Sequence, residues 1–411
     1  MGLGPEERRI AAWVEAHATE PVELLERLVN QNSGTLNLVG VRRVADVLRR
    51  ELDTIGFETR WIDGAAVARA GHLFAEHTGD RGNRLLLIGH LDTVFEEESP
   101  FQRFARQGDT ARGPGVADMK GGDVVMLQAL RALRACGALD GSRIVVALIG
   151  DEENPGDPVE ISRQELLDAA RRSDIALDFE AGVRDSAGEY ATVARRGSVT
   201  WRLEVVGETG HSSGIFTEQC GSGAIFEAAR ILHSFHEELR GEAYLTVSPG
   251  LFLGGTEIED HPAHARGVAA GKDNVVARSA MVAGDLRSIS PEQLADALRR
   301  MRAIVARHLP RTSASISFTE SYPAMPPTEA NRALLDELNR VNRDLGYAEL
   351  QPLDPGRRGA ADISFVAPFV PSLSGLGAHG EGAHSSAESI DLATLPRQIT
   401  RAAVFLYRLT R

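Results

Sequence analysis

Arg84-Leu85-Leu86-Leu87-Ile88-Gly89-His90-Leu91-Asp92-Thr93-Val94 is an apolar run that ends abruptly in a histidine and a carboxylate. Consecutive apolar residues bounded by glycine read as a strand buried on both faces, the kind found inside a parallel sheet. Ligands of such sheets lie at the carboxyl ends of the strands, where His90 and Asp92 emerge. Residues two apart on extended backbone point the same way, so Asp92 stands on the side of His90 and can hold its imidazole in one tautomer. That is a metal-ligand arrangement. Taken alone, a histidine at a strand end is an ordinary hydrogen-bonded residue, so the weight of the pair depends on what later strand ends carry.

A chain of 411 residues exceeds one ordinary core and predicts two domains. A formal charge of -13 with no basic tract argues against a nucleic-acid partner. An anionic substrate would then need a local cationic site, such as bound metal or a few arginines. Only Cys136 and Cys220 are present, which leaves neither a disulfide framework nor a cysteine zinc site. The first residues, Met1-Gly-Leu-Gly-Pro-Glu-Glu-Arg-Arg, lack an apolar signal core, and no run reaches the length of a bilayer span. A cytoplasmic enzyme without membrane association is expected.

Upstream of the opening strand, residues 21–30 and 37–55 carry apolar residues at three- and four-residue spacing and predict two amphipathic helices, followed by strands at 57–63 and 71–76. Downstream, an irregular segment reaches Gly113-Pro-Gly-Val-Ala-Asp118-Met-Lys-Gly-Gly122, and a helix from Asp123 to Cys136 is closed by Gly137 as a left-handed cap. Asp118 therefore sits in a glycine-rich turn just before a helix, a place where aspartate is also a common turn residue. The next strand, Arg143 to Gly150, ends in Asp151-Glu152-Glu153. Three carboxylates at the end of a buried strand repel one another and need cations nearby to remain ionised; the plainer reading is a solvated acidic loop running on to Pro158. A helix from Arg163 to Arg172, with Ser162 and Glu165 in capping-box spacing, leads to the strand Ile175-Ala-Leu-Asp-Phe-Glu180, which also ends in acid. Strands alternating with helices, with acids or histidine repeatedly at strand ends, describe an α/β domain with one active edge.

From Gly197 the pattern changes to strand 198–206, helix 224–240, strands 244–254 and 274–287, helix 291–308 and strand 314–320, a β-α-β-β-α-β series of the ferredoxin-like kind. Ser290-Pro-Glu-Gln293 supplies an N-cap and a first-turn proline for its second helix. The polar stretch Glu257–Lys272 should be a long hairpin loop. Pro323-Ala-Met-Pro-Pro327 reads as a return linker, after which helices 328–345 and 395–410 and a strand near 369–376 resume the α/β pattern. The expected organisation is a catalytic domain over 1–196 and 322–411, interrupted by a small domain over 197–321.

Collected, the strand ends and turns offer His90, Asp92, Asp118, Glu152, Glu153, Glu180 and, in Gly380-Glu-Gly-Ala-His384-Ser-Ser, His384. Two histidines and three carboxylates are the nitrogen and oxygen set expected of a pair of zinc ions that share one carboxylate, and a further carboxylate is then available as a base.

With these motifs the sequence resembles the dinuclear zinc family of glutamate carboxypeptidases, aminoacylases and succinyl-diaminopimelate desuccinylases, most closely the bacterial glutamate carboxypeptidase branch, over almost the whole chain. The resemblance implies a zinc-peptidase-type α/β catalytic domain, with a mixed central sheet flanked by helices, and an inserted ferredoxin-like lid and dimerisation domain. It implies two Zn2+ per subunit, with Co2+ or Mn2+ as substitutes. Asp118 would bridge the metals, His90 and Glu180 would complete one site, and Glu153 and His384 the other. Asp178, two residues before Glu180 on the same strand, competes with it, and the Phe-Glu-Ala ending favours Glu180. Asp92 would orient His90, and Glu152 would be the general base. In the lid, His211 of Gly210-His211-Ser212 would bind the reacting carbonyl, reaching across a homodimer, while Asn274 and Arg287 would grip the free carboxylate of a small peptide or N-acyl amino acid. The implied activity is hydrolysis of the amide between an acyl or peptidyl group and a C-terminal amino acid, with an aminoacylase as the alternative on the same scaffold. The family's glycine- and threonine-rich approach to an aspartate appears here as Arg358-Gly-Ala-Ala-Asp362, with fewer donors, which leaves the preferred amino acid open.

Two other classes compete. Gly210-His-Ser212-Ser-Gly214 satisfies the Gly-x-Ser-x-Gly pattern of a serine hydrolase, but an elbow needs its helix directly after the nucleophile and Ile215 to Gly223 intervene. A non-catalytic metal-binding scaffold would have no use for Glu152 beside Glu153. His233 and His236 read as the polar edge of the lid helix; His261, His264 and His379 read as loop residues. Arg195 and Arg196 read as hinge or surface charges.

Overall fold

Leu85, Leu86, Leu87 and Ile88 are at most 1% exposed, as a strand with neighbours on both edges and helices on both faces requires. The computed structural model describes residues 2–261 and 266–411. The chain divides into two units: Met1–Ala194, Pro327–Asp354 and Ala361–Arg411 form the first, and Arg195–Pro326 with Pro355–Ala360 the second. Arg195 and Arg196 thus group with the inserted unit, and so does Pro355–Ala360, a return that no sequence signal indicates.

In chain order the principal elements are helices α1 (Pro5–Ala16), α2 (Glu20–Val29) and α3 (Leu38–Thr54), strands β1 (Glu58–Asp63), β2 (Gly71–His77) and β3 (Arg81–His90), helix α4 (Lys120–Ala135), strand β4 (Ser142–Ile149), helix α5 (Gln164–Arg171) and strand β5 (Ile175–Asp178). The second unit follows with β6 (Gly197–Gly207), α6 (Gly223–Leu239), β7 (Thr246–Gly255), β8 (Glu257–His261), β9 (Arg266–Ala270), β10 (Ser279–Ser288), α7 (Pro291–Val305) and β11 (Thr312–Tyr322). The first unit resumes with α8 (Glu329–Leu345), β12 (Ser372–Ser374), β13 (Gly380–Glu381), β14 (Ser389–Asp391) and α9 (Leu395–Leu409).

The large sheet of the first unit runs β1-β2-β4-β3-β5-β12. The four strands from β4 to β12 are parallel, and β1 and β2 add antiparallel at one edge. Nearly every residue of α4 is buried, and its Val124, Val125, Leu127 and Leu130 join the strand residues Leu85 and Leu87 and the helix residues Leu25, Val41 and Phe405 in one core. Parallel strands leave their carboxyl ends on one rim, so His90, Asp151 and Phe179-Glu180 emerge together. Helix α1 has no counterpart in the sequence reading, which begins at residue 21. It is anchored by Glu7, which receives Gly4 N–H at 2.6 Å and Arg408 Nε at 2.6 Å.

The second unit is an antiparallel sheet in the order β7-β10-β6-β11, with α6 and α7 on one face, the ferredoxin-like arrangement. Val199, Trp201, Leu203 and Val205 alternate inward on β6, while Thr200, Arg202 and Glu204 face away from this core. Gly284 opposite Trp201 leaves room for the indole, since a Cβ there would stand 2.3 Å from the ring. The stretch expected as a long hairpin loop carries two antiparallel strands, β8 paired with β9, tied to the sheet by Arg202 and Asp260 at 2.6 Å. The expected start of β10 at residue 274 moves to 279 because Val275 and Val276 pair instead with the loop at Gly210–His211.

One local expectation fails. Ser162 and Glu165 do not form a capping box: α5 begins after Arg163, whose side chain makes no cap. The Ser162 hydroxyl is drawn to Asp151 at 2.7 Å, and Glu165 is engaged by Arg60. Among the described residues no helix is long and apolar enough to cross a membrane.

Candidate metal centre

Strand β3 delivers His90 to the rim at 1% exposure. Its Nδ1 faces the carbonyl oxygen of Asp92 at 3.1 Å and the Asp92 carboxylate at 3.4 Å. Two acceptors on that side fix the proton on Nδ1 and turn the lone pair of Nε2 inward. Nε2 meets Asp118 Oδ1 at 3.2 Å, and Glu180 Oε1 lies 4.0 Å away. The other oxygen of Asp118 meets His384 Nε2 at 3.2 Å, and the same nitrogen is 3.1 Å from Glu153 Oε2. Three groups of potential donor atoms result, each within 4.8 Å: His90, Asp118 and Glu180; Asp118, Glu153 and His384; His90, Glu152 and Glu153.

Much of what positions these donors is marked by no sequence spacing. The Asp92 carboxylate does more than face His90: it accepts the N–H groups of Glu152 and Glu153 at 3.1 Å each, and the Thr35 hydroxyl at 2.6 Å. Buried Glu388 holds the glycine-rich turn by accepting the N–H groups of Gly115, Ala117 and Asp118 at 2.9 to 3.1 Å. Burial, only partly offset by those three bonds, pushes its carboxyl up to about 7. His384 follows the β13 strand through Gly382 and has φ of 62°, a left-handed position that histidine tolerates better than most side chains. Asp178 is occupied elsewhere, accepting from Ser374 Oγ at 2.8 Å and from Glu180 N–H at 3.3 Å, so Glu180 is the acid that reaches the cluster. Asp151 likewise separates from its two neighbours and pairs with buried Arg163 at 2.5 Å.

The electrostatics show a strong demand for positive charge. Burial raises Glu152 well above the usual carboxylate range, and Glu180, Asp362 and Glu153 add to the effect. Burial also raises Glu153, against the pull of His384. Hydrogen bonds to Asp118 and Glu153 carry His384 up to about 11. Burial opposes the charged form of His90, yet Asp118 and Asp92 outweigh it and raise its pKa. Glu153 Oε1 is buried with no hydrogen-bond partner. A divalent cation meets each of these requirements. Donor atoms about 2.0–2.2 Å from a tetrahedral ion stand roughly 3.3 Å from one another, close to the 3.1 and 3.2 Å found between the imidazoles and carboxylates. Asp118 offers one oxygen to each imidazole, the disposition of a bridging carboxylate. Nitrogen and oxygen donors without sulfur suit zinc, cobalt or manganese.

In the second unit, His211 and Asn274 come together: Ser212 N–H donates to the Asn274 carbonyl at 2.9 Å, and His211 bridges to Val275. His211 is exposed, its Nδ1 2.8 Å from Ser213 Oγ. Arg287 stands on β10, where its Nε donates to Asp285 at 2.8 Å. No nucleophile elbow exists at Ser212, which lies in a short 3-10 turn well before α6 begins at Gly223. One reading is corrected. Arg195 is not a surface charge but 2% exposed, bonded to the carbonyls of Gly359 and Ala360. His379 lies between strands, as expected of a loop residue, but is only 4% exposed, and burial, with Arg401, Arg184 and Arg397 nearby, brings its pKa down to about 4 against the opposing charge of Glu189. His233 and His236 are exposed on α6, His261 lies on β8 beside Glu259, and His264 lies outside the described residues.

Comparison with known proteins gives the family and the fold. The model of Peptidase family M20/M25/M40 matches residues 86–409. Carboxypeptidase G2 of Pseudomonas sp. (strain RS-16) is 26% identical over 395 residues, 93% of this chain and 87% of that protein. In fold, the chain is similar to aminopeptidase PepT from Bacillus cereus, with a TM-score of 0.75 at 17% identity, covering 96% of this chain and 99% of the other. It is also similar to YXEP of Bacillus subtilis, a dinuclear metal binding peptidase, with a TM-score of 0.65 at 14% identity over 96% and 99% of the two chains. The chain is a hydrolase of the metallopeptidase kind and belongs to Peptidase family M20/M25/M40.

Proposed function

We propose that the protein is a dizinc amidohydrolase that cleaves the bond between an acyl or peptidyl group and a C-terminal amino acid bearing a free carboxylate. His90 and Glu180 would hold one ion, Glu153 and His384 the other, and Asp118 both. The observation that carries the reading is the pair of 3.2 Å approaches by which the two oxygens of Asp118 divide between His90 and His384. When bound, such a pair of cations polarises the amide carbonyl and makes water a nucleophile at neutral pH. Glu152 then takes the proton of the attacking water and returns it to the leaving nitrogen. Its burial suits this task, because raising a carboxylate above its ordinary range makes it a stronger base.

The lid supplies the remaining groups. His211 steadies the reacting carbonyl, and Asn274 and Arg287 hold the substrate carboxylate, with Asp285 orienting the guanidinium. We place His211 at the site of the partner in a homodimer. An exposed apolar patch of Phe216, Ile225, Phe226 and Phe252 on the same unit supports a surface that a second copy covers. Both cysteines are free, which agrees with a reducing cytoplasm.

Metal analysis joined to a substrate panel of peptidyl-glutamates, N-acyl amino acids and dipeptides tests the reading. Tightly bound transition metal near two ions per chain, with release of the C-terminal amino acid, is expected. Preference for N-acetyl or other N-acyl amino acids over peptides would move the assignment to an aminoacylase. Less than one ion per chain in active protein would end the dinuclear reading.

A further inference from the structure

Beside the metal cluster the first unit buries a second set of charges that hydrolysis does not use. Arg163 is fully buried. Its Nη1 donates to Asp151 Oδ1 at 2.5 Å, its Nη2 to the Asp151 carbonyl at 3.1 Å and its Nε to Asp362 Oδ1 at 2.6 Å. The other Asp151 oxygen accepts Gly156 N–H at 2.8 Å and the Ser162 hydroxyl at 2.7 Å. One residue earlier, Gly150 N–H donates to His72 Nδ1 at 3.2 Å, and His72 Nε2 in turn donates to the Ser162 carbonyl at 2.9 Å. The backbone from Gly150 to Glu153 is therefore held residue by residue: Gly150 by His72, Asp151 by Arg163, and Glu152 and Glu153 by Asp92.

A buried guanidinium between two carboxylates is a costly way to fill space, and apolar residues of similar volume serve an interior as well or better. What the fork adds is direction, because its donors are fixed in one plane and can bind two acceptors at once. The two acceptors here are informative. Asp151 precedes Glu152 and Glu153 directly. Asp362 stands where the chain re-enters the first unit, its charge bears on Glu152, and its Oδ2 is buried without a hydrogen-bond partner.

We propose that Arg163 is a positioning residue of the metal centre, acting through Asp151 on the turn that carries Glu152 and Glu153, and through Asp362 on the chain beside Glu152. The proposal rests on the reading of Glu152 as base and Glu153 as ligand. Lysine cannot replace Arg163, since one ammonium cannot span both carboxylates in the plane the fork defines.

Arg163→Lys and Asp362→Asn, made in the full chain and loaded with Co2+, test it. Thermal melting reports folding, the visible Co2+ spectrum reports ligand geometry, chelator competition reports metal affinity, and kcat and KM are followed on any substrate the wild type cleaves. Groups that orient metal ligands from outside change affinity or activity by about 10–100-fold, so each variant should fold, lose that much in metal affinity or kcat with a smaller change in KM, and show an altered Co2+ spectrum. In Arg163→Ala, added guanidinium should restore part of the spectrum and of kcat, and ammonium should not. Folded variants that keep spectrum, affinity and kcat within about twofold of wild type overturn the proposal. Asp362→Asn is isosteric and leaves Arg163 on Asp151, so it decides the question where Arg163→Lys does not fold. A wild type that binds no metal tightly would instead remove the reading on which the proposal rests, whatever the variants do.

Discussion

The Thr35 hydroxyl donates to Asp92 Oδ2 at 2.6 Å, tying the loop before α3 to the carboxylate that also anchors Glu152 and Glu153. Both residues are at most 1% exposed, so no water replaces the bond when it is lost. Thr35→Val should cost about 1–3 kcal/mol of stability for the buried carboxylate's lost hydrogen bond and about tenfold or more in kcat or metal affinity. Thr35→Ser keeps the hydroxyl and should retain most of both. Denaturant unfolding and steady-state kinetics on the two variants check this, and equal damage in both would show that the methyl group, not the bond, matters.

Glu152 and Glu153 are adjacent yet should fail differently. Glu152→Gln keeps size and removes the base, so kcat should fall by about 10²–10⁴ with metal content unchanged. Glu153→Gln should weaken one ion, because its carboxylate meets His384 at 3.1 Å. Metal analysis beside kinetics separates the two, and the opposite pattern would reverse the assignment.

Arg287 should discriminate free acids from amides. A bidentate bond to a carboxylate is lost on amidation, and lysine cannot reproduce it. Arg287→Lys should therefore lower kcat/KM for free-acid substrates far more than for their amides. Equal losses would mean that the Arg287 and Asp285 pair only stiffens β10.

Two inactive variants should complement each other. Loss of one oxyanion donor costs about 10²–10³ in kcat, so His211→Ala should be folded and nearly inactive. Glu152→Ala should be inactive as well. Subunit exchange between them should restore activity, because one site then holds both intact groups. Verified heterodimers that stay inactive would place His211 within its own chain or outside the reaction.

His379 should make stability depend on acid. Its pKa is about 4 in the folded chain, against an ordinary value of 6.5, so the unfolded chain binds a proton first as pH falls. The contribution of the neutral ring is complete above pH 6.5 and is lost on the way down to about 4, by at most about 1.4 kcal/mol per pH unit. The unfolding free energies of wild type and His379→Gln should converge over that interval. Curves that stay parallel would show that His379 titrates alike in both states.

The strands and helices were legible because burial leaves a strong period: Leu85 to Ile88 could only be a doubly covered strand, and α4 and β4 follow from similar patterns. The chemical residues at strand ends stood out because His90, Glu152, Glu153 and Glu180 interrupt apolar runs. What holds them did not stand out. Thr35, Glu388, Arg163 and Asp362 act across long stretches of chain, at spacings that no periodicity marks. Ser162 and Glu165 had the local pattern of a cap, but a buried carboxylate at Asp151 offered the Ser162 hydroxyl a better partner than a solvated helix end. The burial of His379 did not show, because the arginines and glutamate around it come from two distant stretches, 184–189 and 397–401.

The covalent order of the first unit sets when its candidate metal centre can be complete. Strand β12, which closes the sheet beside β5, and His384, which supplies the second imidazole, both follow the inserted unit in the chain. As synthesis proceeds, the segment carrying His90, Asp118, Glu153 and Glu180 must wait with an open sheet edge while the insertion, with a core of its own, is made and can fold. The cluster of Asp118, Glu153 and His384 is therefore completed last, and a ribosome-bound chain stopped before residue 384 carries the acids of the candidate centre without the imidazole that joins Glu153 to Asp118.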